Sequence, residues 1–378
     1  MTRQQLIEQI FKKQSYLCVG LDTDITKIPK HLLSQADPVL EFNKQIIDAT
    51  KDLCVSYKIN TAFYEARGAK GWETLEKTVN YIPQEHFKIA DAKRGDIGNT
   101  SSQYAKAFFE TLHFDAVTIA PYMGEDSVKP FLEYEGKWAI VLGLTSNAGS
   151  EDFELQKFVT KTDSLDEGIH IEKHDTKFLY EMVLEKVSKW GTPDNLMFVI
   201  GATQPNEFEN IRRITPEHFY LVPGIGTQGG NLKEISEKAM INDCGILVNV
   251  SRAIIYASDK KNYSEEAKII AQRYQSEMKE YLNSIELKKI CEVNQIFHTS
   301  WGLTVFLDFS KDVMPSVGMV LKNSSERKWK IIEMSMGKPI ELMNVEFVPR
   351  FNDWIIDCVL EPIEHSDSLN EKDILKVD

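Results

Sequence analysis

The chain has 378 residues, 57 acidic against 44 basic, and a formal net charge of −13. That balance argues against a general nucleic-acid binder or a polybasic membrane binder, because either partner would be repelled over most of the surface, while a local cationic pocket for a small anion stays open. The length exceeds the roughly 250 residues of a lone α/β barrel and suits one large domain plus one small one.

The N-terminal MTRQQLIEQIFKKQSY has the apolar spacing of an amphipathic helix and no apolar core of a signal peptide, and no run of about 18 apolar residues follows it. These features predict a soluble, cytoplasmic protein. Five widely separated cysteines (Cys18, Cys54, Cys244, Cys291, Cys358) form no CxxC pair and no zinc-type spacing with histidine. They read as core thiols of a reducing compartment.

Eight short apolar runs follow in order: YLCVGLD (16–22), CVSYKIN (54–60), HFKIADAK (86–93), AVTIAPY (116–122), WAIVLGLT (138–145), LMFVIGAT (196–203), FYLVPGIG (219–226) and GILVNVSR (245–252). Between most of them lie stretches of helical period, such as PVLEFNKQIIDATKDL, SSQYAKAFFETLHF and NLKEISEKAMIND. Eight nearly continuous apolar strands alternating with helices predict a (β/α)8 TIM barrel. An open doubly wound sheet is the alternative, but the first strand runs into GLDTDITKIP rather than a glycine-rich dinucleotide turn. Residues 146–195 are too long for one connection and predict a surface excursion at the barrel mouth, serving either as a lid or as a plain insertion. A last helix, SEEAKIIAQRYQSEMKEYLNS, ends the barrel pattern near Ser284.

Beyond it the pattern changes to SWGLTVFLDF, GMVLKN, KWKIIEMS, PIELMNVEFV and DWIIDCVLEPI, several of which alternate apolar with polar residues. The predicted organisation is therefore a barrel over 1–284, a small β-rich domain over 285–366 and an unstructured end over 367–378. With 11 basic and 16 acidic residues from 285 to 378, the small domain is not expected to bind RNA. Its role and topology are not legible, and a protein partner for it is left open.

Reactive groups of a TIM barrel sit at the C-terminal ends of the strands. Here those ends carry Asp22, Lys58 with Asn60, Asp91 with Lys93, Thr145 with Ser146, Pro223 with Gly224, and Ser251 with Arg252. Strand alternation predicts that Asp91 and Lys93 share a face with Ile89 inside the mouth, with Asp96 beyond the strand. A lysine and aspartate at a strand end often form only a solvated ion pair. Lys58, however, stands inside an apolar run where an unpaired charge would be costly, and it lies on the strand next to Asp91 and Lys93. An alternating lysine and aspartate array follows. In VPGIGTQGGN the glycines are expected to leave backbone N–H groups free for an anion, helped by the positive end of the helix starting near Asn231 and by Arg252.

IADAKRGDIGNT resembles the DxKRxDIxxT signature of the orotidine 5′-phosphate decarboxylase family, in the form of its longer bacterial group. VGLD, YKIN, LTSN, VPGIGTQGG and SRAII match in order and spacing, and the resemblance covers about residues 1–284. It implies a decarboxylase without metal or cofactor that makes UMP from orotidine 5′-monophosphate, the last step of pyrimidine synthesis. It further implies Lys93 as proton donor to C6, Asp91 crowding the departing carboxylate, and Lys58 holding Asp91 and touching the ribose. Asp22 would contact the ribose, Ser146 and Pro223 the ring, and Gln228 with Arg252 the phosphate. Asp96, with Ile97 and Thr100, would come from the second subunit of a homodimer with shared sites. Two readings compete with it. One is a metal-dependent sugar-phosphate lyase or aldolase on the same barrel, and the other is an inactive nucleotide-sensing scaffold acting through the C-terminal domain.

Overall fold

The computed structural model describes residues 1–166, 169–226 and 229–288, and beyond them the strand segments 291–299, 302–309, 320–322, 328–336, 354–363 and 374–377. The chain divides into two compact units, Met1–Lys279 and Glu280–Asp378.

The first unit is a closed parallel barrel. Its strands are β1 Leu17–Gly20, β2 Ser56–Asn60, β3 Phe87–Arg94, β4 Ala116–Ile119 and β5 Trp138–Leu144, then, after the inserted hairpin β6 Lys157–Asp166 and β7 Ile169–Phe178, β8 Leu196–Ile200, β9 Phe219–Pro223 and β10 Ile246–Val250. Each barrel strand pairs in parallel with the next, and β10 closes on β1 through Leu17↔Val248, Cys18↔Asn249 and Val19↔Val250. All eight apolar runs of the sequence are these strands. Their residues are buried almost throughout, because one side faces the barrel interior and the other the surrounding helices.

The helices start where local chemistry favours them. Asp37 accepts a hydrogen bond from the Leu40 N–H at the head of Pro38–Thr50, and Pro38 takes the first helical position, where its missing N–H costs nothing. Thr2 and Gln5 form a reciprocal cap on Arg3–Lys13. The lower end of the barrel is filled by aromatic rings from alternate strands: Phe87 and Trp138 meet edge to face at 5.9 Å between centroids, and Trp138 and Phe219 at 6.4 Å. Arg3 lies over the Phe219 ring and donates to the Pro193 carbonyl, tying the first helix to that end. Cys18, Cys54 and Cys244 are buried and form no disulfide, as the sequence predicts for core positions, and burial pushes the thiols of Cys18 and Cys54 up to about 12 and about 11. Among the described residues no helix is long and apolar enough to cross a membrane.

The excursion after β5 is the β6–β7 hairpin, paired from Lys157↔Phe178 to Asp166↔Ile169, followed by a helix over Leu179–Val187. Its base is fastened to the barrel. The Glu154 carboxylate accepts from the Thr145 N–H at 2.6 Å and from the Thr145 hydroxyl at 2.8 Å, and the Glu154 carbonyl accepts from the Tyr180 N–H.

The second unit contains β11 Cys291–Thr299, β12 Gly302–Phe309, β13 Val320–Lys322, β14 Lys328–Met336, β15 Trp354–Ile363 and β16 Ile374–Val377. They close into an antiparallel barrel in the order β11-β12-β15-β14-β13-β16. Strand β11 is not among the sequence-predicted segments, and a register shift between Val293 and Gln295 breaks the two-residue period that would reveal it. The predicted segment PIELMNVEFV lies outside the described residues. In the stretch expected to be unstructured, Ile374–Val377 is a strand that pairs with both β11 and β13, so that part of the expectation is corrected: its backbone completes a ladder supplied by distant segments. A chain ending after Lys288 keeps the whole last helix, Tyr263–Lys288, with its buried Ala267, Ala271 and Met278. Such a chain is expected to stay soluble and to melt in one cooperative transition by circular dichroism.

Candidate active site

The mouth of the parallel barrel holds a cavity of about 260 Å³. Its lining includes Lys58, Thr118, Val199 and Asn249, supplied by the alternate strands β2, β4, β8 and β10. Such a level of four is normally filled by branched apolar side chains. Here three of the four are polar, and all four are at most 7% exposed. Asp91, Leu142 and Pro223 from the intervening strands β3, β5 and β9 also line the cavity.

Lys58 is the pivot. Its Nζ lies 2.9 Å from Asp91 Oδ2 and 3.3 Å from Asp22 Oδ1, so one ammonium bridges carboxylates from the ends of β1 and β3. Lys93 Nζ lies 2.5 Å from the other oxygen of Asp91. The result is the alternating array expected from the sequence, with two positive and two negative groups in contact. Burial alone would raise the Asp91 carboxyl, but the charges of Lys58 and Lys93 outweigh it and hold Asp91 well below the usual carboxylate range. Burial likewise disfavours the Lys58 ammonium, and Asp22 and Asp91 override it, so Lys58 is held above its ordinary value. Asp91 is therefore an anion and Lys58 a cation across the neutral range.

Strand alternation does not account for where Lys93 goes. β3 pairs β4 regularly through Ile89↔Ala116 and Ala90↔Val117, then resumes only at Arg94↔Ile119, so Asp91, Ala92 and Lys93 bulge opposite Thr118. Lys93 has a left-handed backbone, φ +45°, which is rare for a residue with a Cβ. The bulge is what brings the Asp91 and Lys93 side chains together, with Lys93 half exposed at the mouth and Asp91 beneath it. The adjacent Arg94 is turned away and pairs with Glu65 over the rings of Tyr104 and Phe108. Asn60, also at a strand end, accepts from the Ala62 N–H and shapes the turn after β2.

Of the sequence-predicted residues, Asp22, Lys58, Asp91, Lys93, Ser146, Pro223 and Arg252 line this one cavity. Asp96, Ile97 and Thr100 do not. Asp96 accepts from the N–H of Ile97, whose side chain is 55% exposed, and Thr100 is exposed on the following helix. Gln228 lies outside the described residues. The glycine loop differs from the expectation in one respect. The N–H groups of Gly229 and Gly230 are already donated to the carbonyls of Gly226 and Gly224, so these two amides close the loop on itself instead of standing free. Gly226, at φ +83°, takes a conformation that side chains disfavour, and an added Cβ there would lie 3.0 Å from the Tyr274 hydroxyl. Thr118 and Asn249 are cavity residues to which the strand-end pattern does not point. Asn249 carries the same signal as Lys58, a polar residue inside an apolar strand, whereas Thr118 looks like an ordinary β-former. Among the described residues no group of three or more His, Cys, Asp and Glu side chains could hold a metal ion.

Residues 15–267 match the model of the family described as orotidine 5′-phosphate decarboxylase / HUMPS. The chain belongs to this family. It is 54% identical over 285 residues to the orotidine 5′-phosphate decarboxylase of Phocaeicola vulgatus, an alignment covering 75% of this chain and 99% of that protein. It is 53% identical over 288 residues to the enzyme of the same name from Bacteroides fragilis strain YCH46, covering all of that protein. Among solved structures, that of Leishmania donovani OMP decarboxylase is 33% identical with a TM-score of 0.58, covering 73% of this chain and 99% of that one. The family match ends before the antiparallel barrel, which starts at Cys291.

Lys58→Met would remove the one ion-pair partner that Asp22 has among the described residues and one of the two cations on Asp91, and is expected to lower the unfolding free energy by about 3 kcal/mol in urea titrations. The sign of the pH dependence follows from the two shifts. The contribution of Asp91 is present above its unfolded pKa of about 3.9 and fades as pH falls through its lower folded value. That of Lys58 is present below about 10.4 and fades as pH rises through its higher folded value. The difference between wild type and variant should therefore be level from about pH 5 to 9.

Proposed function

We propose that this protein decarboxylates orotidine 5′-monophosphate to UMP and CO2, with the cavity at the mouth of the parallel barrel as its active site. The observation that carries the reading is the contact array Asp22, Lys58, Asp91 and Lys93 in a chain whose relatives, matched over their whole length, are orotidine 5′-phosphate decarboxylases.

The chemistry follows from the charges. Breaking the bond between C6 and its carboxylate releases CO2 and leaves the electron pair on C6, a carbanion with little resonance help. The site must therefore stabilise developing charge at C6 more than it stabilises the substrate. Asp91, an anion held between two ammonium groups, crowds the substrate carboxylate and favours its departure. Two unit charges 4 Å apart interact by about 4 kcal/mol at an effective dielectric near 20. The Lys93 ammonium delivers a proton to C6 as the carbanion forms, and its half-exposed position allows solvent to protonate it again. Lys58 keeps Asp91 ionised and, with Asp22, contacts the ribose. Ser146 and Pro223 hold the ring, and Arg252 with Gln228 grips the phosphate, whose binding energy is used far from the reacting carbon. No step calls for a metal or a cofactor.

The active form is a cytoplasmic homodimer in which Asp96, with Ile97 and Thr100, enters the partner's cavity. Their position outside their own chain's cavity supports this reading.

Loss of orotidine 5′-monophosphate absorbance tests the activity directly, and the rate should be unchanged by EDTA. Lys93→Ala is expected to abolish turnover while UMP binding, followed by calorimetry, survives, because it removes the proton source and leaves the phosphate grip. Substantial turnover by that variant would refute the assigned role. The shared site is tested by mixing. Lys93→Ala and Asp96→Asn homodimers should each be nearly inactive, and subunit exchange between them should restore about a quarter of wild-type activity, since half of the dimers are then mixed and each carries one intact site. No recovery after demonstrated exchange would place both residues in the same chain's site.

A further inference from the structure

Thr118 stands at a level of the barrel where a valine would serve the packing equally well. It is 1% exposed, lies in a regular part of β4, and differs from valine by a hydroxyl in place of one methyl. That hydroxyl is used twice. It accepts from the backbone N–H of Lys93 at 2.9 Å and donates to Asp91 Oδ1 at 3.1 Å, the same oxygen that Lys93 Nζ approaches. Both partners belong to the three-residue bulge facing Thr118, where the backbone ladder between β3 and β4 is interrupted. In a regular ladder the Lys93 N–H would find a carbonyl on β4, and the bulge removes that option. The hydroxyl takes the amide, and its own proton is then directed to the carboxylate.

We propose that Thr118 is a positioning residue for the reaction: one hydroxyl clamps the backbone of the proton donor and the carboxylate of Asp91 in register with each other. The inference rests on the decarboxylase reading of the same site. The clamp stabilises the left-handed turn at Lys93 and limits how far Asp91 can swing when a substrate carboxylate arrives. It acts on the relative placement of two reacting groups and leaves the ribose and phosphate contacts alone. Its loss should therefore appear in turnover more than in binding.

The test compares four side chains at one position in the full-length protein: wild type, Thr118→Val, Thr118→Ser and Thr118→Ala. Valine keeps the shape and removes the hydroxyl, serine keeps the hydroxyl, and alanine differs from serine by the hydroxyl alone. Expected for Thr118→Val is a kcat reduced about 30-fold, with KM and the UMP dissociation constant within about threefold of wild type. Thr118→Ser should stay within about threefold of wild type in kcat, and Thr118→Ala should fall well below it. If Thr118→Val misfolds, the comparison of serine with alanine decides by the same criterion. A valine or alanine variant with wild-type kcat would overturn the proposal, as would a serine variant as slow as the alanine one, or a loss confined to KM. Failure of the decarboxylase reading is distinguishable, because the wild-type protein would then show no conversion of orotidine 5′-monophosphate at all.

Discussion

A buried lysine ammonium in the mouth of the parallel barrel is the constraint on which the rest of the site depends. Lys58 is 3% exposed, and a charge so placed is tolerable only when it is paired and hydrogen-bonded. Asp22 and Asp91, from the ends of the strands on either side of β2, satisfy it. Asp91 in turn needs a second cation, which Lys93 supplies. The array is electrically closed, so its members hold their positions before any substrate arrives. That preorganisation lets the anion of Asp91 act on a second anion without rearranging.

The two ends of the barrel are built on opposite principles. At the lower end Phe87, Trp138 and Phe219 fill the interior with rings and the first helix closes over them, a packing solution that contributes stability. At the mouth, Lys58, Thr118, Asn249 and Asp91 line the cavity and pair with one another or with backbone groups. Strain collects at this end too: Lys93 sits in a left-handed conformation beside a broken stretch of ladder, held by the Thr118 hydroxyl and by the pairing that resumes at Arg94.

The long segment after β5 is joined to the same end. Glu154 binds the amide and hydroxyl of Thr145, next to Ser146 in the cavity wall, and its carbonyl accepts from Tyr180 at the start of the helix that follows the hairpin. Through Glu154 both ends of the insertion are tied to Thr145, which lines the cavity.

The sequence by itself determined the eight parallel strands, because each is buried on both sides and so must be apolar along its length, a pattern that needs no partner to be seen. It also singled out Lys58, Asp91 and Lys93, since charges next to or inside such runs have few physical justifications, and Asp22, Ser146, Pro223 and Arg252 because strand ends of this fold face one mouth. Tertiary structure alone decided how the charges meet. The bulge at Asp91–Lys93 depends on the register of β3 against β4, which two strands settle jointly. Thr118 is indistinguishable from any β-branched strand residue until its hydroxyl is seen between two groups 25 and 27 positions away. The glycine loop spends two of its amides on its own carbonyls, and β11 hides behind a shifted period. For the bulge and for Thr118 the deciding bonds join strands distant in the chain, and a linear pattern records only what each segment requires by itself.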